Sequence, residues 1–164
     1  VRILGIDPGS RATGFGFIEA RKDRTVCIAH GVISTGSGEF PDRLGVIFAG
    51  IRDLVREHQP DQVAIESVFI SKNPSSALKL GQARGAAICA VVSEGLKVAE
   101  YSPRSVKQAL VGRGAADKIQ VQHMVAVLLQ LRERLEEDAA DALAVALCHQ
   151  HTSETLARMA KLQG

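Results

Sequence analysis

The sequence predicts an α/β fold: a mixed five-stranded sheet, three antiparallel strands and then two parallel ones, with helices on both faces. Three observations carry this. Strand-like runs of alternating apolar and small or polar residues fill the first 35 positions, separated only by short polar turns. From Phe40 onward, stretches of helical periodicity alternate with short apolar runs, the pattern of β-α-β units. Finally, two apolar runs end in an acid, Asp7 and Glu66, where a core strand would otherwise stop on an uncharged residue.

The first strand is Arg2-Ile-Leu-Gly-Ile-Asp7. The turn formers Pro8-Gly-Ser-Arg-Ala-Thr-Gly14 follow it, then a second strand from Phe15 to Ala20. A polar turn, Arg21 to Arg24, leads to a third strand from Thr25 to Thr35, making an antiparallel meander. The first helix covers Phe40 to His58, because Leu44, Ile47, Phe48, Ile51, Leu54 and Val55 recur on one face and Pro60 stops it. A right-handed crossover through this helix lays the fourth strand, Gln62 to Glu66, parallel to the first, which puts Asp7 and Glu66 at neighbouring carboxyl ends. A second helix runs from an N-cap candidate at Ser75 to Glu94, ended by Gly95. The fifth strand is Lys97 to Tyr101, and Pro103 opens a short helix to Val111. Further helices are expected from Asp117 to Leu131 and from Asp138 to beyond Cys148.

At 164 residues the chain is expected to form one domain, 1–164, large enough to bury about 70% of its unfolded surface without a staple. Apolar content of 46% and charged content of 23% are ordinary for a globular protein. No apolar run approaches the ~20 residues of a membrane span, and a strand begins at once with no signal-peptide pattern; the expectation is a cytoplasmic protein with no membrane partner. The cysteines Cys27, Cys89 and Cys148 form no C-x-x-C pair and are expected to be reduced core residues. His149 and His151 fall on different helix faces, which argues against a zinc pair.

Net charge is only +2, but charge is unevenly placed. Lys72, Lys79, Arg84, Lys97, Arg104, Lys107, Arg113 and Lys118 face only Glu94, Glu100 and Asp117 over the same stretch, while Glu133 to Asp138 is acidic. Solvated helix faces would produce such an imbalance, and so would an anion-binding surface beside an acidic site. Asp138 and Asp141 stand i and i+3 on an alanine-rich helix, hence on one face. Each acid has an ordinary reading: dipole placement for this pair, a turn cap for Asp7, a strand end for Glu66. Converging, the four would need protons or a hard cation, the arrangement of metal-assisted phosphodiester cleavage. Phe69 lies in a polar connector beside Lys72; it either tucks into the core or stacks on an unpaired base. Lys107 and Lys118 are surface lysines or a clamp on phosphate charge. The loop Asp7 to Gly14 also resembles the first phosphate loop of actin-like and sugar-kinase folds, although those proteins use two such domains.

The ordered motifs Ile3-Leu-Gly-Ile-Asp-Pro-Gly-Ser10, Thr13-Gly-Phe-Gly-Phe17, Ile65-Glu-Ser-Val-Phe69 and Ser76-Ala-Leu-Lys-Leu-Gly-Gln-Ala-Arg-Gly85 carry a closer resemblance. It continues through Tyr101-Ser-Pro103, Val106-Lys-Gln108, Lys118-Ile-Gln-Val-Gln-His-Met124 and Asp138-Ala-Ala-Asp-Ala-Leu-Ala144. Over nearly its whole length the sequence resembles the bacterial RuvC family of Holliday junction resolvases. The resemblance implies a ribonuclease H-like fold and catalytic, metal-binding acids at Asp7, Glu66, Asp138 and Asp141. It implies catalytic lysines at Lys107 and Lys118 and a junction-contacting aromatic at Phe69. Lys72, Lys79, Arg84, Arg104 and Arg113 are the further DNA-contact candidates. Expected cofactors are two Mg²⁺ ions per subunit, with Mn²⁺ as a substitute. Expected partners are a second copy of the chain, four-way junction DNA and a branch-migration helicase complex, with the second predicted helix as the dimer-interface candidate. Two readings stay open beside it: a ribonuclease H-like nuclease for structured RNA, and a single-domain phosphate-loop protein that binds ATP.

Overall fold

A computed structural model describes residues 1–67 and 73–162. Its strands are β1 (Arg2–Asp7), β2 (Ala12–Ala20), β3 (Thr25–Ser34), β4 (Gln62–Glu66) and β5 (Val98–Tyr101). The helices are α1 (Phe40–His58), α2 (Pro74–Ser93), α3 (Pro103–Val111), α4 (Lys118–Leu128) and α5 (Glu137–Leu162). The sheet order is β3-β2-β1-β4-β5, antiparallel among the first three strands of the chain and parallel across β1, β4 and β5.

The period-2 alternation of the strands divides the molecule into two cores. On one side Leu4, Ile6, Phe17, Val63 and Ile65 pack against Ile47, Ile51 and Val55 of α1 and Ala83, Ala87 and Val91 of α2. On the other, Ile3, Ile18 and Ala64 meet α3, α4 and the central turns of α5. Helices therefore cover both faces, and α5 runs close along β1 and β2.

Several boundaries differ from the predicted ones. β2 starts at Ala12, not Phe15, because Thr13 is fully buried and its hydroxyl donates to the Gly9 carbonyl at 3.1 Å. This turns part of the expected loop into strand, with Gly14 opposite Asp7. Asn73, not Ser75, caps α2: its side chain accepts from the amides of Ser75 (3.0 Å) and Ser76 (3.4 Å), with Pro74 in the first turn. α4 ends at Leu128 rather than Leu131, since Gln130 takes a positive φ of 53° that breaks the helix. Asp117 is its cap, in a capping box with Gln120. Cys148 is buried and Cys27 partly so, but Cys89 is exposed. The apolar side of α2 is set by Ala83, Ala87, Ala90 and Val91, and Cys89 points away from it.

Candidate active site

The site is assembled at the carboxyl end of β1. Asp7 is flanked by Gly14 on β2 and, through the Ile6–Ile65 register, by the end of β4 that carries Glu66. The turn after Asp7 is held from below by Arg43 of α1, which donates to the carbonyl of Ser10 and to Thr35 Oγ1. α5 then crosses this edge very closely. A Cβ on Gly14 would lie 2.0 Å from the carbonyl oxygen of Asp138, and one on Gly5 would lie 2.0 Å from that of Ala142. The absence of side chains at these two positions lets the first turn of α5 rest on the sheet and deliver its acids to Asp7.

Oxygens of Asp7, Asp138 and Asp141 consequently lie within 4.8 Å of one another, a spacing able to hold a metal ion. Glu66 stands beside this triad rather than in it. It shares a cavity of about 210 Å³ with Lys107, Lys118 and Asp141, walled by Pro103, Val106, Val121 and Ala144. Burial raises the pKa of Asp7 to about 8, reinforced by the charges of Glu66, Asp141 and Asp138. Glu66 is raised by burial and then by Asp141, and Asp141 by burial against the pull of Lys118. Such a cluster is stabilised by any cation that enters it. Lys118 supplies one: its ammonium lies 2.9 Å from Asp141 Oδ2 and also pairs with Glu137. Burial acts against that ammonium, but hydrogen bonds to Glu137 and Asp141 outweigh it and raise its pKa. The donor set, three close carboxylates with a fourth beside them, fits a hard divalent cation.

The other predicted contacts are scattered. Arg84 faces inward, donating to the backbone carbonyl of Glu66 at 3.2 Å and pairing with Glu100, so it braces the end of β4. Lys79 lies 5.8 Å from the centre of the Phe40 ring, on the α2 side of the molecule. Arg104, in the first turn of α3, packs along Gly114, and Arg113 is exposed in the loop that follows α3. Phe69 and Lys72 lie outside the described residues. His149 is held by Tyr101 Oη and Gln62 Oε1, each at 2.9 Å. Sequence reasoning missed Glu137 and the apolar cavity wall. The helix expected from Asp117 is α4, with Asp117 as its cap and Lys118, a candidate already in the sequence, as its first residue.

Sheet order, helix placement and carboxylates gathered at strand ends define a ribonuclease H-like α/β domain carrying an acidic site of the kind that handles phosphodiesters. Residues 3–149 match the family described as Crossover junction endodeoxyribonuclease RuvC. The RuvC of Tolumonas auensis is 57% identical over 96% of this chain and 91% of its own length; that of Alkalilimnicola ehrlichii is 54% identical over 96% of each. The solved structure of Thermus thermophilus RuvC in complex with a Holliday junction substrate superposes with a TM-score of 0.88, at 33% identity, covering 94% of this chain and 95% of that one. The chain belongs to the RuvC family.

Proposed function

We propose that this chain is an endonuclease that resolves Holliday junctions in DNA recombination and repair, by paired symmetric nicks leaving 5′-phosphate and 3′-hydroxyl ends. The observation that carries the reading is the convergence of Asp7, Asp138 and Asp141, with Glu66 adjacent, in a member of this family. The junction-bound Thermus relative favours four-way DNA over structured RNA or ATP as the ligand.

Asp7, Asp138 and Asp141, joined by Glu66 from the rim, would hold Mg²⁺, or Mn²⁺ in its place, up to two ions during reaction. When bound, such ions supply a polarised phosphate and an activated water. The rest falls to the protein. Gly5 and Gly14 hold the acidic helix against the strand. Arg84 fixes the Glu66 backbone. Lys107 and Lys118 line the cavity and offset charge on the scissile phosphate. Phe69 stacks on an unpaired base, and Lys72, Lys79, Arg104 and Arg113 contact the DNA backbone.

Two nicks in two strands call for two copies. α2 offers a face for this: Leu78, Gly81, Gly85, Cys89 and Val92 follow helical 3–4 spacing, with Leu78 68% and Val92 56% exposed. In the cell, a branch-migration helicase complex would present the junction, and the protein would work in the cytoplasm.

The test is incubation with a synthetic four-way junction, a linear duplex of the same sequence and duplex RNA, with Mg²⁺ or excess EDTA. Metal-dependent, paired cutting of the junction alone is expected. Equal cutting of the linear duplex would leave a general nuclease, and activity in EDTA would remove the metal.

A further inference from the structure

Lys118 is the first residue of α4, and Glu137 is the first of α5. The backbone beneath Lys118 is fixed by the capping box: Asp117 Oδ1 accepts from the Gln120 amide at 2.8 Å, and Gln120 Oε1 accepts from the Asp117 amide at 3.0 Å. The Lys118 side chain therefore leaves a rigid base, and where its ammonium comes to rest is decided by its acceptors. Among the described residues there are two, Asp141 and Glu137. Asp141 belongs to the triad that would bind a cation, and its side chain is only 23% exposed. Glu137 does not belong to that triad, and its side chain is 65% exposed at the rim. Lys107, which also lines the cavity, has no ion-pair partner among the described residues, so only one of the two lysines is held in this way.

Any cation that engages Asp141 competes directly with the Lys118 ammonium, by like-charge repulsion and by taking the same oxygens. Without a second acceptor the long lysine chain would swing into solvent and recover its rotamer freedom. Glu137 gives it an acceptor outside the metal triad. It also ties the start of α4 to the start of α5, one residue before Asp138.

We propose that Glu137 is a positioning residue for junction cleavage: it keeps the Lys118 ammonium at the rim of the acidic cluster when Asp141 is taken up by a metal ion. The inference rests on the junction-cleavage reading above. Glu137 touches neither DNA nor metal in this role and acts entirely through Lys118.

The test compares Glu137→Gln with Glu136→Gln, which removes the same charge one residue earlier, where no contact with Lys118 exists. Because the pair is largely exposed, the expected effect is modest: a fall of about 2- to 5-fold in single-turnover junction cleavage for Glu137→Gln, with junction affinity unchanged. Glu136→Gln should cut like the parent. In a Lys118→Ala background, Glu137→Gln should slow cleavage no further. A second readout needs no catalysis. NMR relaxation of the Lys118 ε-methylene should show an ordered side chain in the parent with Ca²⁺ present, and a mobile one in Glu137→Gln. Equal mobility in the two proteins, an equal effect of Glu136→Gln, or a further loss in the Lys118→Ala background would overturn the proposal. If the parent itself does not cut junctions, the functional reading fails, while the relaxation comparison still decides whether Glu137 orders Lys118.

Discussion

At Asp7, burial and three neighbouring carboxylates act in the same direction and push its pKa from 3.8 to about 8. A carboxyl with a raised folded-state pKa holds its proton more tightly folded than unfolded. Its contribution to stability therefore declines as pH rises from 3.8 towards about 8, and Glu66 and Asp141 shift in the same direction. In chelator, Asp7→Asn should melt progressively higher than the parent as pH is raised from about 5 to about 8. A constant gap between the two melting curves would mean that Asp7 does not take up a proton in the fold. The same substitution, like Asn at Asp138 or Asp141 or Gln at Glu66, is expected to lower junction cleavage by at least ~10²-fold. Junction binding should persist, because phosphate repulsion is relieved. Gel-shift affinity beside single-turnover cleavage separates the two effects, and loss of binding in all four well-folded variants would make these acids structural.

Among elements, the contact of α5 with β1 and β2 does most to shape the site. Ala139, Ala140, Ala142 and Ala146 keep the helix slim, while Gly5 and Gly14 remove the side chains that would hold it off. Gly14→Ala has no room without moving the Asp138 backbone. It should cost about 1–3 kcal/mol of stability and slow cleavage, because Asp138 is displaced from Asp7. Gly45→Ala, in α1 with nothing within 4 Å of the added carbon, should instead stabilise by about 0.5–1 kcal/mol. Denaturant titrations of both variants check the contrast. α2 carries a separate expectation. If its exposed stripe is the dimer face, Cys89 should react readily with a thiol reagent at low protein concentration and be protected at high concentration. Concentration-independent labelling would place the dimer elsewhere.

For the whole molecule, a metal ion held by the acidic cluster would couple its binding to folding. Mg²⁺ should raise the melting temperature, and more so at higher pH, where fewer protons compete for the carboxylates. Ca²⁺ should permit junction binding but little cutting, because its coordination is larger and looser. Binding should weaken steeply with salt as counterions are displaced, while the preference for junction over linear duplex persists because it rests on geometry. Titrations of both DNAs at several salt concentrations test this; a preference that vanishes with salt would reduce recognition to charge.

The sequence by itself determined the elements and the level of the acids. Strand alternation, the helical face of Leu44 to Val55 and the i, i+3 pair Asp138 and Asp141 are local patterns. The parallel pairing of β1 with β4 follows from crossover handedness, so Asp7 and Glu66 were legible as neighbours. Other features depended on which surfaces meet. That Gly14 lies under the Asp138 carbonyl, that Glu137 shares Lys118 with Asp141, that Arg84 turns inward to the Glu66 carbonyl and that Cys89 faces out are contacts between residues far apart in the chain or choices of helix face. The positions of lysine and arginine in the sequence show where charge lies along the chain. Only the packing of α5 on the sheet brings Asp7, Asp138 and Asp141 within 4.8 Å and leaves one ammonium paired between Asp141 and Glu137, because those distances are fixed by close-packed backbones rather than by any local preference.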